Sequence, residues 1–139
     1  LAKKIAVVFD SQSLFSFFMG QEGSAEVQGL LRQIEAGTCE GYINIVNLIE
    51  LRYVPARAGK DFLEQSITRS GIKIVPLVVG NVLWKIAAEL KANYAISLAD
   101  ACAAATAIWF DCELVAGADP EFNQLQDAGL MKILTIGKL

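Results

Sequence analysis

Five short apolar runs, separated by stretches of helical periodicity, constrain this sequence more than any other feature. They fall at residues 3–10, 42–46, 72–76, 113–115 and 131–136. The first, Lys3-Lys4-Ile5-Ala6-Val7-Val8-Phe9-Asp10, is continuously apolar from Ile5 to Phe9 and ends in an acid. A continuous run of this length fits a central parallel strand covered on both faces. The third closes on Pro76, which suits a strand near a sheet edge. Between the runs, residues 11–18 read as a short helix and residues 20–23 as a break. Ser24 then caps a helix in which Val27, Leu30, Leu31 and Ile34 recur at i, i+3, i+4 and i+7, ended by Gly37. A helix starting near Asn44 or Asn47 carries Glu50 and Tyr53, and Pro55 should kink or end it. Further helices are expected at residues 60–70, at 79–92, after Ser97 and, briefly, after Pro120.

Strands that alternate with helices in this way predict an α/β fold. The expected form is a three-layer α/β/α sandwich around a four- to five-stranded, mainly parallel sheet. The chain has 139 residues and no internal repeat, low-complexity segment or linker, so residues 1–139 are read as one domain. The apolar stretch near Asp100 is broken by Thr106 and stops at Asp111, short of the roughly 18 residues that argue for a membrane span. A strand pattern already under way at Ile5 leaves no place for a secretory signal, and Leu1 in place of Met reads as a trimmed or engineered start. Cys39, Cys102 and Cys112 form no C-x-x-C pair, and an odd count reads as reduced thiols in a cytoplasmic protein. Small buried hydrophobes are the simplest role for them.

The chain contains no histidine. Ser-His-Asp and Cys-His nucleophilic catalysis are thereby excluded. His-containing zinc sites are excluded too, and the cysteine spacing supplies no thiolate substitute. A catalytic metal here would be held by oxygen, which suits Mg²⁺ or Mn²⁺.

The acids fall in a pattern. Asp10 ends the first strand, and Asp119 stands just past Leu114-Val115. Glu50, in Asn47-x-x-Glu50, and Asp100, in Ser97-x-x-Asp100, each sit in the first turn of a helix. Strand C-termini and the following helix N-termini share one edge of an open parallel sheet, where ligands bind. Carboxylates gathered there would raise one another's pKa until some were protonated, and a divalent cation removes that conflict. Each acid also has a local reading. Asp100 and Glu50 serve as helix caps, Asp10 begins the helix at Ser11, and Asp119-Pro120 is a turn.

Taken in order, Val7-Val8-Phe9-Asp10-Ser11, Asn47-Leu48-Ile49-Glu50, Ser97-Leu98-Ala99-Asp100-Ala101 with Ala105-Thr106-Ala107, and Asp119-Pro120-Glu121-Phe122 resemble PIN domains. The similarity is greatest to the VapC-type ribonuclease toxins of toxin–antitoxin pairs, and it runs over nearly the whole chain. It implies a sheet of four or five parallel strands and a Mg²⁺- or Mn²⁺-dependent ribonuclease. It also implies that Asp10, Glu50, Asp100 and Asp119 form the acidic metal site. A homodimer and an antitoxin protein partner are further implications. One departure stands out. The family usually places Thr or Ser two residues before its last acid, whereas Val115-Ala116-Gly117-Ala118-Asp119 has neither and reads one residue longer.

In this reading a metal-activated water attacks the RNA phosphate in line, leaving 5′-phosphate and 3′-hydroxyl ends, and no protein nucleophile is needed. The net charge of −3 is unevenly spread: residues 52–91 carry seven Lys and Arg against three Asp and Glu. Arg52 and Arg57, with Ser11, are the candidate substrate contacts, although most of these charges read as solvated helix faces. Phe15, Phe17, Phe18 and Met19 are more than one helix face can bury, so a dimer or antitoxin interface is a second use for some of them. Trp84 and Trp109 read as core or interface anchors. A haloacid dehalogenase-type phosphatase would need a second Asp where Gln12 stands, and a Rossmann domain would need a G-x-G-x-x-G that is absent. The alternative from another class is a catalytically inactive PIN-like module that binds RNA or protein. Metal binding discriminates the two.

Overall fold

The computed structural model describes residues 5–61, 65–118 and 120–137. Its elements run β1 (Ile5–Phe9), α1 (Ser11–Phe18), α2 (Ser24–Glu35), β2 (Cys39–Asn44), α3 (Ile45–Arg57), α4 (Gln65–Ser70) and β3 (Lys73–Val75). They continue with α5 (Leu83–Asn93), α6 (Leu98–Phe110), β4 (Glu113–Ala116), a 3-10 turn (Pro120–Phe122), α7 (Asn123–Asp127) and β5 (Ile133–Thr135). The five strands form one sheet in the order β3-β2-β1-β4-β5, and every pairing is parallel. The expected three-layer fold is therefore present, with Pro76 following an edge strand as its position suggested.

Alternation along β1 divides the core. Val8 faces one layer, where it packs with Ala101, Ala104 and Ala105 of α6, Leu83, Ala87 and Leu90 of α5, and Leu114. Val7 and Phe9 face the other, with Leu14 of α1, Val27 and Ile34 of α2, and Val115. The small residues of α6 have a packing reason: alanines let this helix lie close on the sheet and on α5 at once. Gly41 of β2 is required by the same closeness on the opposite face. A Cβ there would stand 2.5 Å from Ile34 Cδ1 and 3.3 Å from Phe9 Cε2.

Several boundaries differ from the sequence expectation. Gly23, at φ 90°, caps α2, and Ser24 is its first helical residue without a side-chain cap bond. Strand β2 stops at Asn44 because Asn44 turns its side chain to cap α3, accepting from Val46 N–H at 2.9 Å. Helix α3 passes Pro55 and ends at Arg57. Lys60 is not helical, since its N–H closes α3 on the Pro55 carbonyl at 2.9 Å, beside Gly59 at φ 72°. Residues 79–82 are loop rather than helix, because Asn81 Oδ1 accepts from Leu83 N–H at 3.0 Å and starts α5 there. The last strand is shorter than expected, and both tryptophans are exposed rather than core. No helix among the described residues is long and apolar enough to cross a membrane.

Candidate metal centre

Strands β1 and β4 are neighbours in the sheet, but the chain runs outward from β1 through β2 to β3 before returning to β4 and β5. Strand order reverses between them, and the crevice at their C-terminal ends is where an open parallel sheet binds ligands. Asp10 stands at that point. Its backbone N–H donates to the Val115 carbonyl at 3.0 Å, fixing it against β4. Its side chain caps α1, accepting from Ser13 N–H at 2.7 Å, and the Ser13 hydroxyl returns a 3.0 Å bond to the Asp10 carbonyl. The carboxylate is 2% exposed. Burial pushes its pKa up to about 6; bonds from Ser13 and the Gly117 N–H oppose the rise, and the Glu50 charge adds to it.

Asp100 reaches the same place from the start of α6. Ser97 caps that helix by accepting from Asp100 N–H at 3.1 Å. The cap is therefore Ser97, and the Asp100 side chain is left to the site. Burial raises the Asp100 pKa to about 8, helped by a side-chain hydrogen bond with Glu121 and by the charges of Asp10 and Glu121. Glu121 was not among the acids expected at the site. It arrives because the 3-10 turn after Pro120 folds its side chain back toward α6 while Phe122 drops into the core. The signal was present in Pro120-Glu121-Phe122, a Pro-initiated turn with an apolar anchor one residue on.

Glu50 lies on α3 and accepts a 2.5 Å hydrogen bond from Ser11 Oγ. Its helix is locked to α6 by buried amides. Asn44 Nδ2 donates to Thr106 Oγ1 at 3.0 Å, Thr106 Oγ1 donates to the Cys102 carbonyl at 2.7 Å, and Asn47 Nδ2 donates to the Ala99 carbonyl at 3.1 Å. These bonds set Glu50 relative to Asp100. The structure thus brings Asp10, Asp100 and Glu121 into electrostatic contact and holds Glu50 near Asp10. Asp119 lies outside the described residues. Ser11 serves Glu50. Arg57 stacks over Tyr53 at 5.0 Å on the far end of α3, and Arg52 is exposed.

The donor set is hard oxygen, and the charges acting to raise Asp10 and Asp100 are carboxylates. Such a set fits a hard divalent cation in kind. Among the described residues, however, no three acids or thiols are grouped closely enough to form a metal-holding set by themselves.

A family model described as "PIN domain" matches residues 7–128, from within β1 to the end of α7, and takes in every described acid of the site. The chain belongs to the PIN domain family. Solved structures share the PIN fold at low identity. A chain of a toxin–antitoxin complex from Klebsiella pneumoniae is 21% identical at a TM-score of 0.66, covering 93% of this chain and 96% of that one. VapBC2 from Rickettsia felis, bound to a DNA fragment from its promoter, is 16% identical at 0.67, with 95% and 99% covered. FitAB bound to an IR36 DNA fragment is 18% identical at 0.64, with 96% of both chains covered. No curated protein matches this sequence.

Proposed function

We propose that this PIN domain is a Mg²⁺- or Mn²⁺-dependent endoribonuclease, the VapC-like toxin of a toxin–antitoxin pair. It would act on RNA phosphodiester bonds at Asp10, Glu50, Asp100 and Asp119, with Glu121 beside them. One observation carries the reading: Asp10 and Asp100 come from opposite thirds of the chain, yet the charge of one raises the pKa of the other at the sheet's switch point. Nature rarely keeps unneutralised carboxylates together without a use for them, since each such pair costs stability. The similarity to chains of toxin–antitoxin complexes adds support for the partner.

When bound, a divalent cation supplies Lewis acidity toward the scissile phosphate and an attacking water. The chain's own residues do the rest. Ser13 and Gly117 hold the Asp10 carboxylate in one orientation. Ser11 orients Glu50, and the Asn44–Thr106 and Asn47–Ala99 bonds fix the spacing between α3 and α6. An antitoxin segment has a place to sit beside the site: a hollow of about 260 Å³ lined by Phe15, Phe18, Met19, Leu51 and Pro55. Homodimer formation belongs to the same reading, in line with the exposed Leu77, Val78, Val82 and Trp84 ahead of and within α5. A second reading, a PIN module that binds without cutting, is favoured by Gly117 standing where the family usually offers a hydroxyl and by the lack of a three-acid set among the described residues.

The deciding experiment measures Mn²⁺ binding by calorimetry and cleavage of single-stranded RNA with and without metal, for wild type and Asp10→Asn. Metal-dependent cleavage lost in the variant supports the nuclease. A wild type that neither binds metal nor cleaves RNA overturns it in favour of the binding module.

A further inference from the structure

Gly117 has no side chain, and Gln12 uses the room. A Cβ on Gly117 would stand 2.8 Å from Gln12 Cγ and 3.6 Å from Gln12 Cβ. The stem of Gln12 therefore lies across the backbone whose N–H holds the Asp10 carboxylate. Its own backbone is fixed by the first turn of α1, the turn that Asp10 caps. Gln12 is exposed as a residue, and its Nε2 makes a 3.2 Å bond to Ser16 Oγ. Such a bond exchanges readily for one to a ligand.

Hollows open on both sides of this residue. One, of about 140 Å³, is lined by Ser11, Phe15, Glu50 and Val54. The other, of about 210 Å³, is lined by Ser16, Gln21, Glu22, Gly117 and Ala118. Gln12 is the residue common to the two, so it forms the ridge between them. The second hollow contains Glu22 and no Lys or Arg, which disfavours a phosphate there. Its hydroxyl and amides suit a neutral planar group that both donates and accepts, which describes a nucleobase edge.

We propose that Gln12 is a specificity-determining residue of this nuclease. Its amide hydrogen-bonds the edge of a base seated in the Ser16–Gln21–Glu22–Ala118 hollow, next to the bond that is cut. Gly117 is a glycine so that the Gln12 stem can lie over it. The inference rests on the ribonuclease reading above and adds to it how the strand is read.

The test uses short single-stranded RNAs that differ at one nucleotide flanking the cut, with Mn²⁺, for wild type, Gln12→Ala, Gly117→Thr and the double variant. Gln12→Ala should raise KM about 10-fold with kcat within about twofold, the scale of one lost two-point base contact. It should also level the preference among bases at one flanking position and leave the other positions unchanged. Gly117→Thr displaces Gln12 and should give the same loss of RNA affinity and base preference, and the double variant should bind no worse than Gln12→Ala alone. Circular dichroism confirms that each variant is folded. A parallel anisotropy titration of uncleavable RNA in Ca²⁺ should show the same loss of affinity. Unchanged KM and base preference in Gln12→Ala, with an active wild type, overturns the role of Gln12. Fully additive effects in the double variant overturn the coupling to Gly117. If the wild type binds RNA without cutting it, the titration alone decides. A wild type that neither binds nor cuts overturns the ribonuclease reading and this inference with it.

Discussion

Ser11 Oγ donates to Glu50 Oε1 at 2.5 Å, joining the first turn of α1 to the middle of α3 across 39 residues of sequence. Glu50 is only partly buried, so without this bond its side chain would be free to rotate toward solvent. Ser11→Ala should lower metal-dependent cleavage roughly 10-fold, as removal of an outer-shell partner commonly does. The fold should be left intact, because the lost bond is worth about 1 kcal/mol. Cleavage rates beside a thermal melt check both halves.

The raised carboxylates make stability depend on pH in an unusual direction. Asp10 at about 6 and Asp100 at about 8 hold protons in the folded protein that the unfolded chain, with carboxyl pKa near 4, releases earlier. The folded state binds more protons across that window, so stability falls as pH rises. This stabilisation is complete below about pH 4, and the metal-free protein should lose it steadily as pH rises from there through about 6 to about 8. Asp100→Asn should flatten this slope, and Mn²⁺ at pH 8 should raise the melting temperature of wild type. Calorimetric scans across pH, with and without metal, measure all of it.

Helical spacing separates the two arginines. Arg57 lies seven residues beyond Glu50, in the same row and about 10 Å further along the axis, whereas Arg52 is turned away by about 200°. Arg57→Ala should therefore weaken RNA binding more than Arg52→Ala, and should reduce the salt dependence of binding by about one phosphate contact. Titrations at several salt concentrations distinguish them.

The α3–α6 clasp is a stability device. Thr106→Val keeps the shape but leaves the Asn44 amide donor buried without its partner at a position 0% exposed. A loss of about 1–3 kcal/mol is expected from denaturant unfolding. Gly41→Ala should cost a similar amount, about 1–3 kcal/mol, by forcing the Ile34 side chain out of its place against β2.

The layered architecture was legible because continuous apolar runs and helical periods are separate signals, and both are strong here. The convergence of Asp10 with Asp100 followed from topology, since strand ends and helix starts share an edge whatever the loops do. What the sequence concealed was local hydrogen bonding. The apolar run through Val79 and Val82 resembles a helix, yet one Asn81 amide delays α5 to Leu83. Residues 60 and 61 look helical until Lys60 N–H is spent on closing α3. The approach of Glu121 to Asp100 depends on a single turn of 3-10 geometry, which no periodicity announces.

Asp10 is at once the acid at the crevice and the cap that starts α1. Its replacements are therefore graded. Alanine removes both roles, whereas asparagine or serine preserves the helix start and abandons only the charge. A lineage that ceased to cut nucleic acid would be free to lose the carboxylate but still compelled to retain a small capping side chain. Retirement from chemistry in this architecture should leave a fossil, an Asn or Ser at the end of the first strand.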